Sequence, residues 1–371
     1  MKTIKVGSDF SGVGAFNQAL IRLGVNYEEV FACDMDKYAR QTFIHNYGEP
    51  KYYPTNVYER EIPKESLDIY MTSPPCQAFS LAGKRKGKED LRGILFFNSL
   101  EFIQNNNPRF FIFENVKGLL SDDGGNTFQE WVNLLGGKSV NGVTVLFPYD
   151  GSVNYHLYWQ VLNSKKHGVP QNRERVFLVG IRDDQDNRFQ FPKEEHLSKR
   201  LKDVLEESVE DKYFLSEKML ESLTFETKGN YEIANTNKGG QKGIIQSENG
   251  EAISCLSATD YKQPKQILIN SATQKGYEQA QIGDSINFSV PNSQTRRGRV
   301  GKGVAQTLDT ACNQGTIENK TIRRLTPREC FRLMDFPDSF TWPVSDSQAY
   351  KQAGNSIVVN VLYKILKQLP L

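Results

Sequence analysis

The stretch Ile4-Lys5-Val6-Gly7-Ser8-Asp9-Phe10-Ser11-Gly12-Val13-Gly14-Ala15-Phe16 decides how the chain folds. Residues 4–7 form a short β-branched run that reads as a strand, and Phe16, Ala19, Leu20 and Leu23 recur at helical spacing just beyond it. The turn between them is rich in glycine, so its backbone is open to close approach by a nucleotide-like ligand. Asn17 stands where a third glycine would complete the dinucleotide fingerprint, so the turn by itself is only a βα connection with a ligand option. The same strand-then-helix grammar continues to about residue 180. Strands are expected at 30–33, 67–72, 110–114, 155–162 and 176–181, with helices at 15–23, 36–47, 96–105 and 128–135. This predicts an α/β fold, a mostly parallel twisted sheet with helices on both faces, and places ligand chemistry beyond the carboxyl ends of the strands.

At 371 residues the chain exceeds what one compact core usually occupies, which favours two domains or one domain with a large insertion. From residue 182 to about 321 the sequence turns polar, and its charge is segregated. Residues 183–221 hold twelve acidic and seven basic side chains, whereas 262–302 hold seven basic and two acidic, ending in Arg296-Arg297-Gly298-Arg299. That run reads either as a solvated surface or as a stripe of phosphate contacts. Helical signals return at Thr326-Pro327-Arg328-Glu329, a capping box with proline in the first turn, and again from Ser356 to Leu366. The expected division is a discontinuous domain of 1–182 and 322–371 with an inserted, loop- and strand-rich region, 183–321.

A net charge of +2 neither requires nor excludes a nucleic-acid partner. No run of about eighteen apolar residues suggests a membrane span, and Met1 to Gly7 does not resemble a secretory signal. The five cysteines (33, 76, 255, 312 and 330) and four histidines show no metal-ligand spacing and no disulfide framework, which predicts a reducing cytoplasm and no metal.

Chemistry gathers after the strands. Asp34, twenty residues beyond Gly14, suits a carboxylate that accepts from ribose hydroxyls, without separating a nicotinamide cofactor from S-adenosylmethionine. Thr72-Ser73-Pro74-Pro75-Cys76-Gln77-Ala78-Phe79-Ser80 sets a cysteine behind a stiff diproline. A lone cysteine is ordinarily a buried structural residue, but this one precedes a loop bearing Lys84, Arg85, Lys86, Lys88 and Arg92, whose charge would lower a thiol pKa or hold phosphates. Glu114-Asn115-Val116 ends the next strand, where the carboxylate is either a cap or a proton donor with a pKa raised by burial. Gln171-Asn172-Arg173-Glu174-Arg175 places two arginines at i and i+2, pointing the same way if extended.

Taken in order, these segments resemble the motifs of the DNA cytosine-5 methyltransferase family. Asp9 to Gly14 is similar to its cofactor loop, Pro74 to Gln77 to its nucleophile motif, Glu114 to Val116 to its acid motif and Gln171 to Arg175 to its arginine motif. Arg324 to Glu329 and Gly354-Asn355-Ser356-Ile357-Val358-Val359-Asn360 resemble its two C-terminal motifs. The likeness covers roughly 3–182 and 322–368. Asp9 departs from it, standing where leucine is usual, as do Ala15 in place of a further glycine and Asn56 in place of an aspartate.

The resemblance implies a Rossmann-like S-adenosylmethionine-dependent fold and a target recognition domain, with methyl transfer to carbon 5 of a flipped-out cytosine through a Cys76 adduct. It makes Cys76 the nucleophile, Glu114 the acid at ring nitrogen 3, Arg175 the ligand of the cytosine carbonyl and Arg173 an orienter of the nucleophile loop. Phe10, Gly12, Gly14, Asp34, Met35, Asn56, Val57, Pro75, Leu95, Asn355 and Ser356 would line the S-adenosylmethionine pocket. Gln77, Ser80, Lys84, Arg85, Lys86, Arg92, Arg296, Arg297 and Arg299 would meet double-stranded DNA. A monomer is expected, and the resemblance allows a cognate restriction endonuclease of the same target as its companion. A transfer-RNA cytosine-5 methyltransferase, a non-catalytic DNA-binding module of the same fold and a nicotinamide-dependent dehydrogenase are the competing readings. The 183–321 insertion favours a DNA reader, and the dehydrogenase reading leaves Cys76, Glu114 and the arginine pair unexplained.

Overall fold

The computed structural model describes residues 3–75, 94–224, 233–234, 266–318 and 321–371. Cys76, Gln77, Ser80, Lys84, Arg85, Lys86 and Arg92 lie outside the described residues. The first part of the chain runs β1 (Ile4–Asp9), α1 (Ala15–Leu23), β2 (Tyr27–Cys33), α2 (Lys37–Tyr47), β3 (Ile69–Thr72), α3 (Ile94–Asn106), β4 (Phe110–Val116), α4 (Asn126–Leu135), β5 (Ser139–Val140), β6 (Val143–Thr144), β7 (Tyr155–Asn163), β8 (Gln171–Asn172) and β9 (Glu174–Arg182). There follow α5 (Glu217–Leu223), β10 (Ile233–Ala234), β11 (Gln266–Asn270), β12 (Tyr277–Gln281), β13 (Ser285–Asn287), β14 (Val300–Gly301), β15 (Ala305–Gln306), β16 (Gln314–Glu318), β17 (Thr321–Arg324), α6 (Pro327–Leu333), α7 (Asp346–Asn355) and α8 (Val359–Leu366).

Eight strands form the main sheet in the order β2-β1-β3-β4-β9-β7-β5-β6. Its central strands are apolar almost throughout because both faces are covered. On β3 and β4, Ile69, Met71, Phe110 and Ile112 enter one core with α1 and α6 to α8, while Tyr70, Phe111 and Phe113 enter the opposite core with α3 and α4. Strands β2, β1, β3 and β4 are parallel, as the βα pattern predicts, but β9 is antiparallel to both β4 and β7. The sheet is therefore mixed, and the reversal brings the start of β9 beside the end of β4, with Arg175 opposite Val116.

The 183–321 stretch does not pack as one unit. Leu223, Ile267, Ile269, Ala280, Ile286, Phe288, Ile317 and Ile322 form a separate apolar cluster beneath the sheets β10-β11-β12 and β14-β13-β16-β17. Phe189, Leu201, Val204, Ala305, Leu308 and Cys312 instead join the main core, and β15 pairs with β8. Composition groups these segments with the polar region, whereas their few large apolar side chains return them to the first core. The capping box expected at Thr326 is formed: its hydroxyl accepts from the Glu329 amide, and Glu329 accepts from the Thr326 amide. Glu329 also takes both terminal nitrogens of the buried Arg323, at 2.8 and 2.7 Å, which ties β17 to α6.

One half-buried acid beside α1 has a stability signature. Burial pushes the Glu29 carboxyl up to about 7, partly opposed by the Asn17 amide that donates to it at 3.1 Å. A carboxyl whose pKa rises on folding favours the fold while protonated, and that contribution is lost as pH rises through the folded value. Glu29→Gln keeps an acceptor for Asn17 without the charge. It should therefore match wild type near pH 5 and exceed it by on the order of 2 kcal/mol at pH 8 in denaturant titrations. An equal difference at both pH values would contradict this.

Candidate active site at the strand ends

Register aligns the site. Asp9 on β1 lies opposite Cys33 on β2 and Thr72 on β3, and Thr72 lies opposite Phe113 on β4. The segments that follow these residues, together with the start of β9, share one edge of the sheet.

The loop after β1 passes through three left-handed residues, Phe10 (φ 56°), Gly12 (φ 54°) and Gly14 (φ 84°). Glycine is needed at 14, since a Cβ there would sit 2.2 Å from the Tyr47 ring as well as in a disfavoured conformation. The Gly12 amide donates to Asp34 Oδ2 at 2.7 Å and the Asp36 amide to Oδ1 at 2.8 Å, so Asp34 braces the loop. Burial holds the Asp34 carboxyl above its ordinary value despite these donors. Asp36 in turn caps α2 by accepting from Tyr38 and Ala39. Met35 between them is 86% exposed, Val57 is buried, and Asn56 Oδ1 accepts from the Tyr58 amide. Asn355 is exposed and Ser356 buried at the end of α7. An apolar side chain left open beside a hydrogen-bonding carboxylate and left-handed backbone suits the rings and hydroxyls of an adenosine.

Glu114 and Arg175 meet as the strand reversal dictates: Arg175 Nε lies 3.0 Å from Glu114 Oε1. Glu114 is 8% exposed, and burial pushes its carboxyl above its ordinary value, opposed by Arg175 and then Arg173. The next residue, Asn115, donates its side-chain amide to the Pro74 carbonyl at 3.2 Å, fastening the acid-bearing strand to the diproline before Cys76.

Arg173 is buried and donates to the carbonyls of Leu308, Gly354 and Ser356, clamping the segment after α7, and burial lowers its pKa to about 9. The nucleophile loop that the sequence pairs with it lies, from Cys76 on, outside the described residues. One arginine departs from the sequence reading. Arg299 is fully buried, with its guanidinium donating to the carbonyls of Asn287, Ser289, Val290 and Pro291. With no exposed surface it cannot meet a phosphate, so its assignment as a DNA contact is corrected. Arg297 is exposed and Arg296 partly so.

Sequence reasoning missed three supporting residues. Gln171 donates to the Leu333 carbonyl and accepts from the Leu308 amide, joining β8 to α6. Arg60 and Tyr70 both bond Asp9. The only sequence signal for the last pair was a carboxylate at the end of an apolar strand. Among the described residues no group of three or more His, Cys, Asp or Glu side chains could hold a metal, and no helix is long and apolar enough to cross a membrane.

Comparison with known proteins converges on one family. The model of the C-5 cytosine-specific DNA methylases matches residues 4–370. The orphan methyltransferase M.SPRI of Bacillus phage SPR is 32% identical over 448 aligned positions, covering 100% of this chain and 98% of the relative. The type II methyltransferase M.HhaI of Haemophilus parahaemolyticus is 33% identical over 372 positions, covering 96% and 91%. Among solved structures, a DNMT2 variant from Spodoptera frugiperda superposes with a TM-score of 0.61 at 20% identity, covering 98% of both chains. A putative DNA modification methyltransferase encoded within a prophage of E. coli gives 0.59 at 21%, again covering 98% of both. Matched over nearly its whole length, this chain belongs to the C-5 cytosine-specific DNA methylases.

Proposed function

We propose that the protein methylates carbon 5 of a cytosine extruded from a specific site in double-stranded DNA. The observation that carries this reading is the buried Glu114 carboxyl held by Arg175 beside a strand fastened to the diproline of Cys76. The family uses S-adenosylmethionine as methyl donor, and the residues present fit it. Asp34 and the Gly12 turn would hold the ribose, Met35 and Val57 the adenine, and Asn355 and Ser356 the amino-acid end, with Phe10, Asn56, Pro75 and Leu95 completing the pocket. When bound, that cofactor supplies an electrophilic methyl group.

The chain's own residues make cytosine able to accept it. The Cys76 thiolate adds to carbon 6, and electron density moves into the ring toward carbon 5. Glu114 delivers a proton to ring nitrogen 3, while Arg175 binds the carbonyl oxygen where negative charge builds. Once carbon 5 carries the methyl group, its proton is lost to solvent, and elimination breaks the Cys76 bond, returns the nitrogen-3 proton to Glu114 and restores the aromatic ring. A stacked base offers no access for these groups, so extrusion is required. The region around the third apolar cluster is assigned to target reading. A companion endonuclease is a further part of the proposal, suggested by the type II relatives.

Purified protein, methyl-labelled S-adenosylmethionine and either duplex DNA or transfer RNA test the reading directly. Label should enter duplex DNA, and bisulfite sequencing should place it at one cytosine of a recurring sequence. Label in transfer RNA alone would replace DNA by the competing substrate. Neutralising Arg296 and Arg297 together should make the salt slope of DNA binding shallower by up to about 2. An unchanged slope in anisotropy titrations would return both to the solvated surface.

A further inference from the structure

Asp9 is the one ionisable residue of the Asp9–Gly14 motif, and the proposed reaction gives it no part. It is buried at the end of β1, and its carboxylate is shared by two partners: Arg60 donates from Nε to Oδ1 at 2.9 Å, and the Tyr70 hydroxyl to Oδ2 at 2.5 Å. Arg60 is as buried as its partner, with side-chain exposures of 2% and 0%. Its guanidinium lies 4.6 Å from the Phe102 ring centre, and the same ring stacks on Tyr70 at 4.1 Å. Arg60, Asp9 and Tyr70 thus form a polar cluster in an otherwise apolar core that joins the end of β1 to β3. On one side Asp9 abuts Phe10, and on the other Tyr70 precedes Thr72-Ser73-Pro74-Pro75 on the same strand end, where the Thr72 hydroxyl lies 2.9 Å from that of Ser99 on α3.

Stability alone does not account for this cluster. A buried ion pair is often no more stabilising than apolar residues of similar volume, such as leucine and methionine. Among the described residues Arg60 Nη1 moreover has no hydrogen-bond partner, a cost that an apolar pair would avoid. What an ion pair fixes and a leucine does not is direction: the hydrogen bonds set where the end of β1 stands relative to the end of β3. We infer that Asp9, Arg60 and Tyr70 are positioning residues that hold the cofactor loop in register with the nucleophile loop. This inference rests on the methyltransferase reading above.

The test is an apolar replacement of the pair, Asp9→Leu with Arg60→Met, made so that no buried charge is left alone, beside the near-isosteric Tyr70→Phe. Denaturant midpoints, affinities for S-adenosylhomocysteine and duplex DNA, and single-turnover methyl transfer at saturation are measured in each. The double variant should unfold at a midpoint equal to or above that of wild type and bind both ligands within about threefold, yet transfer methyl at least about tenfold more slowly. Tyr70→Phe leaves one oxygen of a buried carboxylate without its donor, so it should lower the midpoint modestly, keep both affinities and slow transfer measured on the fully folded protein, and it decides the matter if the double variant fails to fold. Wild-type transfer rates in a folded double variant, or in Tyr70→Phe, overturn the inference and leave the cluster structural. A wild-type protein that modifies no cytosine in DNA would instead overturn the underlying reading, so the two failures are distinct.

Discussion

Cys76→Ser is expected to lower methyl transfer by more than about 10⁴-fold while duplex binding and cofactor affinity stay within a few-fold of wild type. The thiolate is the form that attacks carbon 6, and its availability near neutral pH is what a cysteine supplies. A serine hydroxyl is almost wholly protonated there and is a far weaker nucleophile. Carbon 5 therefore stays unactivated, however well the cofactor is held. Binding should survive because the groups assigned to it are elsewhere: Asp34 and the left-handed loop for the cofactor, Arg296 and Arg297 for phosphates. Labelled-methyl incorporation and gel-shift titration of the same preparation separate the two effects. Turnover near the wild-type rate would remove Cys76 as the nucleophile.

The element pattern was largely legible because local periodicity generates it. The helix expected at 15–23 forms over Ala15–Leu23, and the strand expected at 67–72 forms over Ile69–Thr72. Strand direction was not legible. Nothing in Glu174–Arg182 distinguishes a parallel from an antiparallel neighbour, since a strand covered on both faces reads as an apolar run either way. Yet that reversal brings Arg175 to Glu114. The polar insertion misled in another way. Its side chains suggested one surface-rich unit, but burial is decided by scattered residues such as Leu201 and Leu308, whose partners lie far away in the chain.

Site candidates stood out in the sequence as unusual residues after a strand; the structure places Asp34 and Glu114 at one edge of the sheet, while Cys76 lies outside the described residues. They were misread where charge alone was the signal. Arg299 sits in a basic run with Arg296 and Arg297, but its guanidinium turns inward to four carbonyls of the preceding segment. Sequence carries no mark of that inward turn. Asp9 shows the converse: the oddity was visible, but its partner Arg60 stands 51 residues on, in a segment without periodic structure. Long-range pairing of this kind follows from the tertiary fold and has no local sequence signature.

Glu114→Gln should reduce the maximal methyl-transfer rate by about 10²- to 10⁴-fold, the range associated with losing a positioned acid. Glutamine can accept from Arg175 and donate a hydrogen bond, so ground-state binding of cytosine and cofactor should change little. It cannot deliver a proton to ring nitrogen 3. Burial raises the Glu114 carboxyl above its ordinary value, so the proton-bearing form persists to higher pH than for an exposed glutamate. The sign of the pH effect follows. The wild-type rate at saturation should decline as pH rises through that raised pKa, because the acid form is lost, and the glutamine variant should lack this declining limb. The same shift means that ionised Glu114 costs the fold stability as pH rises, so Glu114→Gln should be at least as resistant to denaturant as wild type at pH 8. A slow but stable enzyme thereby distinguishes lost chemistry from lost structure. A glutamine variant with the wild-type rate, or with the wild-type declining limb intact, would remove Glu114 from the proton transfer and leave its contact with Arg175 as a structural ion pair.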